Sequence, residues 1–168
     1  MRANEVLLDA FGRLPGLVRS VVRDLSPDQL AYAPAEGANT IGWLVWHLTR
    51  IQDDHVADVQ GAEQVWTRGD WPSRFGLPQG TLDTGYGHAP EQMATVRPES
   101  WGALLEYYEA VHARTVAYLE HLSDEDLDRV VDDGWDPPVT LGVRLVSVAN
   151  DDAQHVGQAA YLRGLLTP

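Results

Sequence analysis

Cysteine is missing from this 168-residue chain, and so is lysine, since the sequence holds no residue of either type. Without cysteine there is no disulfide, no thiolate nucleophile and no thiolate metal ligand. Every basic residue being arginine, Schiff-base chemistry on a lysine amine is excluded as well. Long apolar runs are scarce too. The longest unbroken stretch of apolar residues and glycine is Ile41 to Trp46, far short of the ~20 residues that a membrane helix needs. The opening residues lead into an amphipathic segment with Asp9 and Arg13, with no signal-peptide core, so a cytoplasmic location is expected. Positive charge is also short: 12 basic residues face 25 acidic ones, a net charge of −13. Like charge repels, so neither nucleic acid nor a membrane surface is expected as a partner.

What remains is material for a packed core. Apolar residues make up 44% of the chain and six are Trp, a composition that excludes disorder. The length suits one domain over residues 1–168. Four long segments carry a helical stripe: about Asn4 to Asp24, Thr40 to Val59, Ser100 to His121 and Thr140 to Leu165. Pro15 should kink or divide the first, while the Asn39-Thr40 pair caps the second and Gly61 ends it. No alternating run is long enough to predict a sheet.

A weak internal repeat supports this division. Leu25-Ser26-Pro27-Asp28-Gln29-Leu30 resembles Leu122-Ser123-Asp124-Glu125-Asp126-Leu127, and Thr40-Ile41-Gly42 matches Thr140-Leu141-Gly142. Two helical hairpins of one design, burying their stripes against each other, make an all-α four-helix bundle. The long insertion between helices two and three, Glu63 to Arg97, holds Trp66, Trp71, Phe75, Tyr86 and His88. Its aromatics form either a cover over a pocket, with Trp71, Tyr86 and His88 as substrate contacts, or a satellite cluster that pins the loop down.

Chemistry concentrates in the last helix. Its stripe reads Leu141, Leu145, Val148, Asp152, His155, Ala159, Leu162 and Leu166, apolar at both ends with an acid and a histidine between. Asp151 stands one turn before His155. A carboxylate in such a seam needs compensation, either a metal ion or an ion pair. Helix two offers His55, which falls within its stripe, and His47, at the stripe's edge; axial position instead favours His47 if the two helices run antiparallel. The spacing alone leaves both open. His112 and His121 read as solvated. Arg144, on the same face as Asp151, either anchors an anionic substrate or pairs with Asp151 or Asp152.

The segment Asn39-Thr40-Ile41-Gly42-Trp43-Leu44-Val45-Trp46-His47-Leu48-Thr49-Arg50 resembles the W-L-x-x-H-L-A-R stretch of the DinB-like superfamily. That superfamily includes YfiT-like proteins and mycothiol-dependent maleylpyruvate isomerases. Asp151-Asp152-Ala153-Gln154-His155-Val156-Gly157-Gln158 resembles its H/E-x-x-x-H-x-G-Q stretch. The resemblance implies an up-down-down-up bundle and a divalent ion held by His47, Asp151 and His155, with Asp151 departing from the family's usual His or Glu. Zinc is the first expectation, and nickel, iron or manganese suit the same ligands. It implies close helix packing and a polar contact at Gly157 and Gln158. It further implies a small-molecule substrate and thiol-dependent S-transfer or isomerisation with a low-molecular-weight thiol as cosubstrate. An enzyme that activates water would fit the ligands equally, and a non-catalytic bundle holding a small ligand or an ion is the rival reading. A homodimer is compatible with spare apolar faces.

Overall fold

The computed structural model describes residues 2–166. The first helical limb is divided at Pro15 into α1 (Ala3–Gly12) and α2 (Leu14–Val22). Pro15 falls in the first turn of α2, where its missing N–H costs nothing. A single turn, α3 (Pro27–Leu30), is capped by Ser26, which accepts from the Gln29 N–H. Helix α4 (Ile41–Gln60) begins at the Thr40 cap and stops at Gly61, whose φ of 61° is the left-handed conformation that closes helices. Single turns α5 (Trp71–Arg74) and α6 (Pro90–Met93) lie within the insertion. Then follow α7 (Trp101–Leu119), the Ser123-capped turn α8 (Asp124–Leu127) and α9 (Leu141–Leu166). Between α8 and α9 runs a small antiparallel ribbon of β1 (Val130–Asp132) and β2 (Val139–Thr140). The ribbon was not expected, because strands of three and two residues are too short for alternation to register.

Hydrogen bonds between distant residues fix the helix directions. Asn4 donates to the Leu119 carbonyl and Arg19 pairs with Glu109, so α1 and α2 run antiparallel to α7. Tyr107 meets Arg50 and Asp53 while Arg114 meets Gln60, so α7 runs parallel to α4. Arg129, whose carbonyl accepts from the first N–H of α9, donates to the Val59 carbonyl near the end of α4, and Arg163, late in α9, donates to the Val21 carbonyl at the end of α2. The order is therefore up-down-down-up, a four-helix bundle with the long insertion as its parallel crossover. Among the described residues no helix is long and apolar enough to cross a membrane.

Helix α4 occupies the centre, and every residue from Ile41 to Arg50 is buried. It touches α9 and α7 on two sides and the insertion on a third, so an ordinary one-sided stripe would leave polar groups stranded. Part of the insertion forms the satellite cluster: Trp66 and Phe75 are wholly buried. The Trp66 ring meets those of Trp46, Phe75 and Tyr107, and its indole N–H donates to the Thr81 carbonyl at 2.8 Å. Burying side chains of this size contributes about 1.5–3 kcal/mol each. The insertion is thus continuous with the core that carries α4.

Candidate metal centre

Three side chains meet where early α4 crosses the middle of α9. His47 comes from α4 and Asp151 and His155 from α9, and one ligand atom from each lies within 4.8 Å of the others. The acid and the second histidine share a face because residues four apart on a helix stand one above the other.

The hydrogen bonds decide which nitrogen each imidazole offers. His47 Nδ1 lies 2.6 Å from the Thr84 carbonyl oxygen. A carbonyl only accepts, so Nδ1 carries the proton and Nε2 keeps its lone pair. His155 Nδ1 lies 2.9 Å from the Asp151 carbonyl, with the same consequence. The two rings stand edge to face with centroids 4.7 Å apart. The nearest contact of the buried Asp151 Oδ2 is His155 Nδ1 at 3.3 Å, and it accepts no well-formed hydrogen bond among the described residues. Two imidazole nitrogens left open beside a carboxylate suit a divalent cation, because these are its preferred donors.

The surroundings tune the pair differently. Burial lowers the His47 pKa; the Thr84 hydrogen bond opposes this, and the neighbouring His155 reinforces it. Burial acts the same way on His155, but the Asp151 carboxylate and carbonyl outweigh it and raise that pKa. The Trp43 indole stacks on His47 with ring centroids 4.6 Å apart, closing one face of the site.

Other expected residues lie elsewhere. Asp152 is wholly buried and turned into the core, with neither oxygen hydrogen-bonded. His55 accepts from Arg144 at 3.3 Å and does not join the three. Arg144 also donates to Asp132 at 2.9 Å, so its carboxylate partner is neither Asp151 nor Asp152. Even so, Arg144, His55, Tyr86, Ser147 and Asp151 line one cavity of about 180 Å³, which makes it contiguous with the site. Trp71 packs on Tyr107 and under Arg74, outside that cavity. His88 is turned inward, accepting from the Trp43 indole at 3.2 Å and donating to Asp83 at 2.7 Å. Gly157 and Gln158 are exposed, and a Cβ at Gly157 would meet nothing within 4 Å, so close packing is not its role. His112 is half-buried against the Tyr108 ring, not solvated.

Sequence reasoning missed Thr84, Arg50 and Asp53. Thr84 acts through its backbone, which no side-chain pattern reveals. Arg50 and Asp53 carried a usable signal, two opposite charges three residues apart on one helix.

A model of the DinB superfamily matches residues 10–159. A conserved protein from Enterococcus faecalis is 30% identical with a TM-score of 0.88, covering 97% of this chain and 96% of its own. YfiT from Bacillus subtilis, described as a probable metal-dependent hydrolase with an unusual four-helix bundle topology, is 15% identical with a TM-score of 0.64, over 97% of this chain and 87% of its own. The colibactin self-resistance protein ClbS, solved in complex with a dsDNA, is 16% identical with a TM-score of 0.60, over 96% of this chain and 95% of its own. No curated protein matches the chain. The ClbS complex corrects the exclusion of nucleic acid drawn from net charge. A protein of this fold is held with a duplex, and whole-chain charge says nothing of local surface potential.

Proposed function

This chain belongs to the DinB superfamily, and we propose that it is a divalent-metal-dependent enzyme with His47, Asp151 and His155 as the ligands. The observation that supports the reading best is the convergence of the Asp151 carboxylate with two imidazoles whose Nδ1–H groups are held by carbonyls, which leaves both Nε2 lone pairs for an ion. Three protein ligands leave a coordination position for a reactant, as catalytic sites do. A bound divalent ion would supply Lewis acidity, lowering the pKa of a nucleophile or polarising a carbonyl.

The chain's own residues do the rest. The Thr84 and Asp151 carbonyls hold both imidazoles in the tautomer that binds metal. Trp43 shields His47 from water on one face. The adjoining cavity admits the substrate past the exposed Tyr86, with Arg144 and His55 on its wall. With no cysteine in the chain, a sulfur nucleophile must come from solution, and we place a low-molecular-weight thiol in that role. Water is the second reading, favoured by the likeness to YfiT, described as a probable metal-dependent hydrolase. Zinc is the ion we propose, since it accepts two imidazoles and one carboxylate.

Metal content of protein purified without chelators tests the ligand set. One ion per chain is expected in the wild type, and loss of at least nine-tenths of it in His47→Ala and in His155→Ala. A wild type that takes up no zinc, nickel, iron or manganese leaves a non-catalytic ligand-binding bundle in its place. Turnover screens with and without added thiol then separate transfer from hydrolysis.

A further inference from the structure

Arg50 and Asp53 stand one and two turns beyond His47 on α4, and they are 0% and 2% exposed. Charges at that depth are costly unless fully partnered. The Arg50 guanidinium donates to the Leu82 carbonyl at 3.2 Å, the Asp83 carbonyl at 3.1 Å, the Gln64 side chain at 2.9 Å and the Tyr107 hydroxyl at 3.2 Å. The Asp53 carboxylate accepts from the Val65 and Trp66 N–H groups at 2.9 and 2.8 Å and from the Tyr107 hydroxyl at 2.9 Å. The two charges themselves lie 3.6 Å apart. One ion pair on one helix therefore grips the insertion where it enters, at 64–66, and where it comes back, at 82–83.

The next peptide reaches the metal centre. Thr84 follows Asp83, and its carbonyl takes the His47 Nδ1–H. Gly85 comes next with a φ of +86°, and a Cβ there would stand 2.8 Å from the Trp46 ring and 3.0 Å from His47 Nδ1. The backbone lies directly against the imidazole with no slack between them. A planar guanidinium holding two successive carbonyls leaves the third little freedom, which a lysine's point charge would not achieve.

We propose that Arg50, backed by Asp53, is a positioning residue for the metal centre: by anchoring the Leu82 and Asp83 carbonyls it places the Thr84 carbonyl that aims His47. The inference rests on His47 being a ligand, and it assigns the insertion a second task besides closing the core.

Nitrogen-15 NMR of the imidazoles in metal-free protein gives the first test. His47 should be the Nδ1–H tautomer in the wild type, and a dominant Nε2–H form overturns the proposal. Arg50→Lys and the milder Tyr107→Phe are then titrated with zinc against a chromophoric chelator. Outer-sphere partners of metal ligands typically contribute roughly 10–100-fold to affinity, so Arg50→Lys should lose about that much and Tyr107→Phe a smaller factor. The His47 tautomers should mix in proportion while His155 stays as it was. A folded Arg50→Lys with an unchanged His47 tautomer and wild-type zinc affinity overturns the proposal; if that variant does not fold, the same criterion is applied to Tyr107→Phe. Should the wild type bind no zinc, the ligand assignment fails separately, and the tautomer shift alone decides whether Arg50 aims the ring.

Discussion

In the first half of the chain Ser26 caps a single turn, and the carbonyl of Leu30 meets Gly42 at the start of α4; in the second half Ser123 caps the matching turn, and the carbonyl of Leu127 meets Gly142 at the start of α9. A Cβ at these glycines would sit 3.0 and 3.3 Å from those oxygens, so both positions demand the same small residue. Beyond these turns the halves part. His47 is aimed by a carbonyl 37 residues away, brought in by a buried ion pair. His155 is aimed by Asp151, four residues earlier on its own helix. One half of the centre is thus a product of the fold and the other of a single helix. Breaking long-range structure should damage the first ligand and spare the second.

Removing Asp53 tests that contrast most severely. Asp53→Ala strands the Arg50 charge in the core and frees the Val65 and Trp66 N–H groups. Breaking one partner of a buried pair costs about 3–5 kcal/mol, so the urea midpoint should fall steeply. Disorder of the His47 ring should accompany it, while the Asp151–His155 contact within α9 is kept. A loss under about 1 kcal/mol would show that the pair does not anchor the insertion.

The same contrast explains what could be read beforehand. Periodicity over four helices, capping residues and the repeated Ser and Gly positions are local signals, and the bundle followed from them. The α9 residues were legible as a pair because four-residue spacing puts them on one face. On α4, periodicity favoured His55 over His47, since the stripe rule assumes a helix with one wet side. Helix α4 has none over its first half, because the insertion covers it. Axial position and the resemblance of the Asn39 to Arg50 stretch to a known motif, not periodicity, pointed to His47. Trp71 and His88 were expected at the pocket for being aromatic and on a loop, but the loop folds inward.

A pair of glycine substitutions sharpens the comparison at lower amplitude. Gly85→Ala adds a methyl into the 2.8 Å approach to Trp46 at a φ that alanine resists, so a loss of about 2 kcal/mol or more is expected. Gly157→Ala, on exposed α9 with open space around it, should instead gain about 0.5–1 kcal/mol from helix propensity. Thermal denaturation of the two variants checks the signs, and zinc affinity should fall only in Gly85→Ala. Equal effects at the two sites would mean that the insertion does not press on His47.

A further contrast lies within α9, between neighbours. Asp151 faces the site half-buried, whereas Asp152 is wholly buried with neither oxygen bonded, and burial, reinforced by the Asp151 charge, pushes its carboxyl well above the usual carboxylate range. The folded protein therefore holds a proton that the unfolded chain releases above a pKa of about 3.9. Stability is then lost as pH rises from that value toward the folded pKa. Asp152→Asn keeps the shape and removes the titration, so it should unfold like the wild type near pH 4 and become progressively more stable than it as pH rises toward 8. Measured on metal-free protein, a gap that widens with pH places the buried neutral acid in the core and leaves Asp151 as the charged neighbour available to a cation. A variant less stable at every pH would mean instead that Asp152 is ionised and paired in the folded protein.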